Sequence, residues 1–404
     1  MSTMMTTSNP TPSQLSTPEQ AASLVGRDIL CFSHDWTGDP LSKTHLMRVL
    51  ARRNRVLWVN SIGYRTPSLN KADFSRTWKK LMAYREPLRE VEPNLYVLNP
   101  LAVPAYGLSV ARTINRIWLK RQVMKAMKRL KFKNPINWVF NPAAAIIAGK
   151  LGEQQLIYHC VDEYSAFSGV ASGAILELER DLLKKADLVI VSAELLRESK
   201  SQINPNTVLV RHGVDFAHFR EALDTRTEVP AEIANLPRPI IGFFGLIADW
   251  VDVELMADVA QHYSHGSLVV LGKATTDVSC LKLPNVHLLG RKPYESLPAY
   301  CKGFDVAINP FRINKLTLNA NPLKVREYLA AGLQVVSTDI PEVAVLENCR
   351  IGRDREGFLS AIDEALRIPG PRTHISDSMR AESWESRLND IAGCLAQNTS
   401  VRRA

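Results

Sequence analysis

The chain has 404 residues, of which 46% are apolar and 23% charged, with a formal net charge of +9. That length exceeds one ordinary core and fits two domains, and the balance excludes a disordered or fibrous chain. No run reaches the roughly 18 to 20 uninterrupted apolar residues of a membrane span.

Residues 1–26 are rich in Ser, Thr, Pro and Gln. They lack the basic start and apolar centre of a signal peptide and read as a disordered tail. From Asp28 onward, short β-branched runs alternate with longer helical patterns. The predicted strands of the first half are Ile29–Ser33, Val56–Asn60, Leu95–Leu98, Asn137–Phe140, Leu156–Cys160, Leu188–Val191 and Val208–Arg211. Those of the second half are Ile240–Phe244, Leu268–Leu271, Val286–Leu289, Val306–Asn309 and Val335–Thr338. Several are continuously apolar, as expected of parallel strands covered on both faces. Strands separated by helical stretches imply right-handed βαβ crossovers, hence an α/β fold of doubly wound sheets. The polar segment Ala222–Arg238, with Pro230 and Pro237, divides the alternation in two. It predicts a first domain over 27–221, a linker over 222–238, a second domain over 239–375, and a helix and tail over 376–404.

The charge is uneven. No acidic residue occurs between Glu92 and Glu153, whereas Ala111–Lys133 carries nine cations interleaved with Ile114, Ile117, Trp118, Val123, Met124, Met127 and Leu130. A basic amphipathic helix with a Trp suits an anionic membrane surface, each cation contributing about 1 kcal/mol. A solvated helix with a core-facing stripe has the same pattern, and no nucleic-acid-binding module accompanies the charge. The six cysteines are scattered without CxxC spacing, which suits reduced thiols in the cytoplasm and provides no metal site. A dinucleotide-binding domain would show G-x-G-x-x-G after its first strand; Ser33–Pro40 does not.

The run from Asn319 to Gly332 is the most informative. Asn321 suits an N-cap, Pro322 the first helical position, and Gly332 the residue past the end. Lys324 in the first turn, with Arg326 close behind, opposes the helix dipole unless an anion such as a diphosphate sits at the exposed amides. Glu327, three positions after Lys324, projects from the same face and can accept bonds from ribose hydroxyls. A capped helix with an exposed Lys–Glu pair would have the same spacing.

The run Leu323–Pro341 resembles the donor-site segment of group-1, family-4-like glycosyltransferases. His212-Gly213-Val214-Asp215, Ile240–Gly245, and the stretch from Val286 through Gly290, Tyr294 and Asp305–Phe311 are similar to other segments of that family, in the same order. The resemblance implies a GT-B fold, two Rossmann-like domains facing a cleft. It places the ribose on Glu327 and the departing diphosphate on Lys324, with Gly245 allowing the donor to approach the backbone. Gly290 and Arg291 fall near the base, and Arg291 would help Lys324 stabilise the diphosphate. Asn319 stands where the family usually has a second glutamate contacting the transferred sugar. The Lys324 helix also resembles that of xanthan-type glucuronosyltransferases. Asp249, Trp250 and Asp252 resemble a subgroup acting on exopolysaccharides and teichuronic-type polymers.

In the first half, the strand ending at Cys160 delivers His159, Asp162 and Glu163, followed by Tyr164, Ser165 and Phe167. Ligands bind at the C-terminal ends of parallel strands. Asp162 is the candidate general base of an inverting transfer, with His159 beside it. In a retaining transfer both would orient donor and acceptor. The loop Ser33–His45 offers Gly38, Asp39, Lys43 and His45 toward the acceptor. A capped loop opening the helix near Ser172–Lys185 is the structural alternative.

The expected function is transfer of a sugar from a nucleotide-sugar, UDP-linked by family habit, to a glycan or lipid-linked acceptor in cell-surface polysaccharide synthesis. No separate cofactor or metal is expected, and no nucleic acid. The expected location is the cytoplasmic face of the inner membrane, reached through helix 111–133. The alternatives are a nucleotide-sugar 2-epimerase of the same fold, or a non-catalytic membrane-associated assembly subunit.

Overall fold

The computed structural model describes residues 24–36, 39–61, 87–103, 109–166 and 172–401. Residues 1–23 of the expected tail, Gly38 and Phe167 lie outside them.

Eight strands build the first sheet: β1 Asp28–Phe32, β2 Arg55–Val59, β3 Leu88–Glu92, β4 Leu95–Leu98, β5 Ile136–Val139, β6 Gln155–Cys160, β7 Leu188–Val191 and β8 Thr207–Leu209. Their order is β3-β4-β2-β1-β5-β6-β7-β8, parallel except for β3 against β4. Six strands build the second: β9 Ile240–Phe244, β10 Ser267–Leu271, β11 Val286–Gly290, β12 Val306–Asn309, β13 Val335–Thr338 and β14 Cys349–Gly352. They run β11-β10-β9-β12-β13-β14 and pair in parallel. In each sheet the order reverses beside the first strand, between β1 and β5 and between β9 and β12. That reversal opens a crevice at the strands' C-terminal ends, where ligands of doubly wound sheets bind.

All twelve expected strands are present within two residues of their predicted ends. β3 and β14 were not expected. They read LREVE and CRIG, polar edge sequences whose side chains are half-buried or exposed, with no continuous apolar run.

The helices used below are α1 Ser42–Ala51, α2 Ser109–Arg129, α3 Ser172–Lys185, α4 Leu323–Ala330 and α5 Trp384–Val401. Packing changes allegiance earlier than the 221/222 boundary expected from sequence. Val214, Phe219 and Ala222 already lie in the second domain's core, because Phe216–Arg220 is a short helix turned onto that side. The chain then returns: Trp384, Ile391, Ala392 and Leu395 of α5 belong to the first domain's core, against α1. The two crossings touch. Val214 N–H donates to Glu382 O at 2.9 Å, and Val214 bridges Ser383 in parallel.

Candidate active site

On the second domain's side, α4 carries the predicted charges. Its N-cap is Pro322, in extended conformation, one residue later than expected. Asn321 does not cap. Its Nδ2 donates to Ser192 O of the first domain at 2.7 Å, and its Oδ1 accepts from Arg326. A non-local partner has taken the side chain that local spacing assigned to the helix. Gly332, at φ +90, ends the segment as expected.

The Lys324 ammonium lies 4.3 Å from the Phe243 ring centroid and 4.9 Å from that of Phe311. These rings flank the crevice between β9 and β12. Gly245, at φ +134, gives it room, since a Cβ there would stand 2.8 Å from Lys324 Nζ. Burial pushes Lys324 down to about 7, with Glu327 acting in the opposite direction. Burial pushes Glu327 up to about 8, partly countered by Lys324. The pair is therefore desolvated rather than exposed on a helix face. Asn319 ends the short helix Lys315–Leu318, its Nδ2 donating to Lys315 O at 2.8 Å. Gly290 has open space around its α-carbon. Arg291 makes a two-pronged pair with Asp39 across the cleft, at 3.0 and 2.7 Å. Both partners are exposed, so the bridge is weak and easily exchanged for another anion.

On the first domain's side, Lys43 opens α1 and lies 5.9 Å from the Phe140 ring, beside the crevice between β1 and β5. Burial lowers its pKa, and Asp162 is the largest of the charges that raise it again. Asp162 is half-buried just past β6; burial raises its pKa and Lys43 lowers it. The sheet order thus brings together two residues that stand far apart in the chain.

Three expected site residues are placed differently. His159 is buried inside β6; it stacks on Phe140 and its Nδ1 accepts from Trp138 Nε1 at 3.3 Å. Burial holds it well below its ordinary pKa, so it stays neutral within the sheet rather than in the cleft. His45 is on the core face of α1, stacked on Trp384 at 5.6 Å and tilted against Tyr294. Burial pushes its pKa down to about 3, which favours the neutral imidazole there. Glu163 is occupied by Lys200 at 3.1 Å and Ser165 at 2.5 Å. Lys200 in turn meets Glu179 at 3.2 Å, which accepts from Tyr158. This buried network flanks Asp162 on the turn past β6, and Asp162 is not part of it. Ser165 also accepts from Lys315 Nζ of the second domain at 3.1 Å.

Sequence reasoning missed the Lys200 network, Lys315, and the environment of Tyr294, whose hydroxyl is buried without a hydrogen-bond partner among the described residues. No local signal marks them. Tyr294 alone stood in a segment already tied to the base.

Residues 238–367 match the family model described as Glycosyl transferases group 1. A glycosyltransferase assigned to teichuronic acid biosynthesis, TuaH of Bacillus subtilis, is 25% identical over 63% of this chain and 70% of its own. The sucrose-phosphate synthase of Thermosynechococcus elongatus superposes with a TM-score of 0.62, at 15% identity, over 93% of this chain and 98% of that one. The Anabaena protein Alr3699/HepE in complex with UDP superposes at 0.57, with 14% identity, over 94% and 99%. Two Rossmann-like domains across a cleft give the chain a GT-B fold, and its second domain matches the group 1 glycosyltransferases, in keeping with the glycosyltransferase relative.

Proposed function

We propose that the chain transfers a sugar from a UDP-sugar to a glycan or lipid-linked acceptor in cell-surface polysaccharide synthesis. The observation that carries this reading is the desolvated Lys324 at Gly245, with Glu327 one turn further on, in the crevice of the second sheet. A cation at the start of α4, whose first turn carries no acidic residue, suits a diphosphate that gains charge as it leaves. Lys324 stabilises that leaving group, and Glu327 accepts the ribose hydroxyls. Gly290 and Arg291 lie toward the base, Arg291 exchanging Asp39 for the donor. Asn319 faces the transferred sugar. UDP is supported by the Anabaena neighbour, solved with UDP and with UDP-glucose. The polysaccharide setting is supported by the teichuronic-acid relative.

Opposite the donor, Asp162 takes the proton of the incoming hydroxyl, its raised pKa bringing it toward the range useful for a base. Lys43 orients the acceptor. The fixed charge of Lys324 and the helix start fills the role that a metal ion has elsewhere. Among the described residues no helix is long and apolar enough to cross a membrane. Helix α2 supports surface binding instead, because Ile114, Ile117, Trp118 and Met124 are exposed opposite the buried Leu119 and Val123. Together with its cations, this outer stripe fits an anionic lipid surface at the cytoplasmic face of the inner membrane.

The test is a calorimetric screen of UDP, GDP and their sugar conjugates against wild type, Lys324→Ala and Glu327→Ala. Micromolar binding of UDP, weakened at least tenfold by each change, is expected. No binding by the wild type would overturn the donor site.

A further inference from the structure

Asp249, Trp250 and Asp252 stand out in the sequence and take no part in the donor site described above. They lie on the loop from Gly245, just past β9, to the helix Val253–His262. Ile247 pins the near end of this loop, its N–H donating to Lys273 O at 3.0 Å. The Trp250 indole is half-buried against the second domain's core. At the far end Val251 pairs antiparallel with Phe311, on the loop after β12. Two hydrogen bonds bracket that pair: Asp252 N–H donates to Pro310 O at 2.8 Å, and Arg312 N–H to Trp250 O at 2.9 Å. On the β13 side, Thr338 Oγ1 donates to Phe311 O at 2.7 Å. The clasp is also tied to the helix that follows it. Asp252 Oδ1 caps that helix, accepting from Leu255 N–H at 3.1 Å, and Arg312 pairs with Glu254 in its first turn. The buried Phe311 ring is thereby set against the Lys324 ammonium, opposite which Phe243 comes from β9 itself.

We propose that Trp250–Asp252 is a positioning element of the donor site, which seats the Phe311 ring on Lys324 so that the cation is fixed and poorly hydrated before a diphosphate arrives. This rests on the donor-site reading above, which takes Lys324 as the partner of the diphosphate. Phe243 is fixed by its strand, whereas Phe311 lies two residues past the end of β12 and is held through the clasp. A charge kept in place by protein rather than by water stabilises a leaving group without reorganising at the moment of transfer. Glu327, on α4 itself, is the charge that acts on Lys324, and Asp39 and Asp215 act in turn on Glu327. Asp252, Arg312 and Glu254 are engaged at the start of the helix Val253–His262. The clasp therefore brings Lys324 an aromatic face and no counter-charge. Removing that face opens the ammonium to water and returns its proton affinity toward that of an ordinary lysine.

The experiment measures UDP affinity by calorimetry at pH 7 and pH 9, with thermal melting to confirm folding. The proteins are wild type, Phe311→Ala, Asp252→Ala, Asp252→Asn and the double variant Phe311→Ala/Asp252→Ala. Wild type is expected to lose about tenfold or more in affinity between the two pH values, as the free lysine gives up its proton. Phe311→Ala should lose only about threefold or less over the same range. Asp252→Ala should fall between them, and Asp252→Asn, which keeps an N-cap, should return toward wild type. The double variant should match Phe311→Ala, because both changes act through one ring. Reduced stability alone would leave the pH dependence where it was. A Phe311→Ala or Asp252→Ala profile equal to that of wild type overturns the inference and leaves the donor site standing. Should Phe311→Ala fail to fold, the two Asp252 variants decide. Failure of wild type to bind UDP, or a flat wild-type profile, overturns the placement of Lys324 at the diphosphate itself.

Discussion

Replacing Lys324 by Met should stabilise the fold while removing donor binding. In the free protein the ammonium is desolvated against two aromatic rings, and burial lowers its pKa from 10.5 to about 7. At ~1.36 kcal/mol per pH unit this difference corresponds to ~5 kcal/mol. The side chain keeps some contact with solvent, so ~2 kcal/mol is the expected cost of holding it there. The sign follows from linkage. Because the folded-state pKa is depressed, the penalty is full below about 7 and disappears as pH rises toward the unfolded value of 10.5. Methionine fills similar space without the charge. Glu327, no longer held down by Lys324, stays protonated to higher pH, so no isolated anion is left buried near neutrality. Scanning calorimetry should show Lys324→Met melting about 2–3 °C above wild type at pH 7, with the gap closing toward pH 10. The same protein should lose at least tenfold in UDP affinity. A melting temperature equal to or below that of wild type at pH 7, or a gap that ignores pH, would refute the reasoning.

Affinity of the wild type for UDP should fall between pH 7 and 9, because the free lysine loses its proton across that range while the bound diphosphate requires it. Calorimetry at several pH values checks this, and a flat profile would remove Lys324 from the diphosphate. Asp162→Asn should slow transfer by about 10²–10⁴-fold with donor affinity nearly unchanged. A loss confined to donor affinity would exclude it as the base. Gly245→Ala should weaken UDP binding, because the new methyl displaces the Lys324 ammonium from beside the backbone. Unchanged affinity would mean that the lysine's placement there is dispensable. The double change Ile117→Ser/Trp118→Ser should reduce co-sedimentation with anionic vesicles about tenfold, and full retention would dismiss α2 as the membrane contact.

The parallel core of both sheets was readable because its strands are continuous apolar runs. The edges β3 and β14 were not, since half-exposed strands carry polar residues and lose that signal. Lys324 and Glu327 were singled out from one helix start, a local feature, and Gly245 came from the family resemblance of its strand and turn. What the spacing could not supply was environment. It suggested an exposed Lys–Glu pair as readily as a desolvated one, and it gave Asn321 to the helix when Ser192 of the other domain holds it. His45 and His159 show the same limit. Alternation along a strand or helix identifies a face, but only the assembled fold shows that those faces meet Trp384 and Trp138. The approach of Lys43 to Asp162 depends on strand order, which no single segment encodes.

The return of the chain to its starting domain has a consequence for synthesis. As the polypeptide leaves the ribosome, the first sheet is complete once β8 has emerged, yet the surface of α1 that packs on α5 is still uncovered. Leu46, Leu50 and the neighbouring His45 wait for Trp384, Ile391 and Leu395, which are made only after the whole second domain. The amino-terminal half therefore cannot mature in order of translation. It passes through an interval with an open hydrophobic seam, during which a chaperone or the nascent second domain has to shield it.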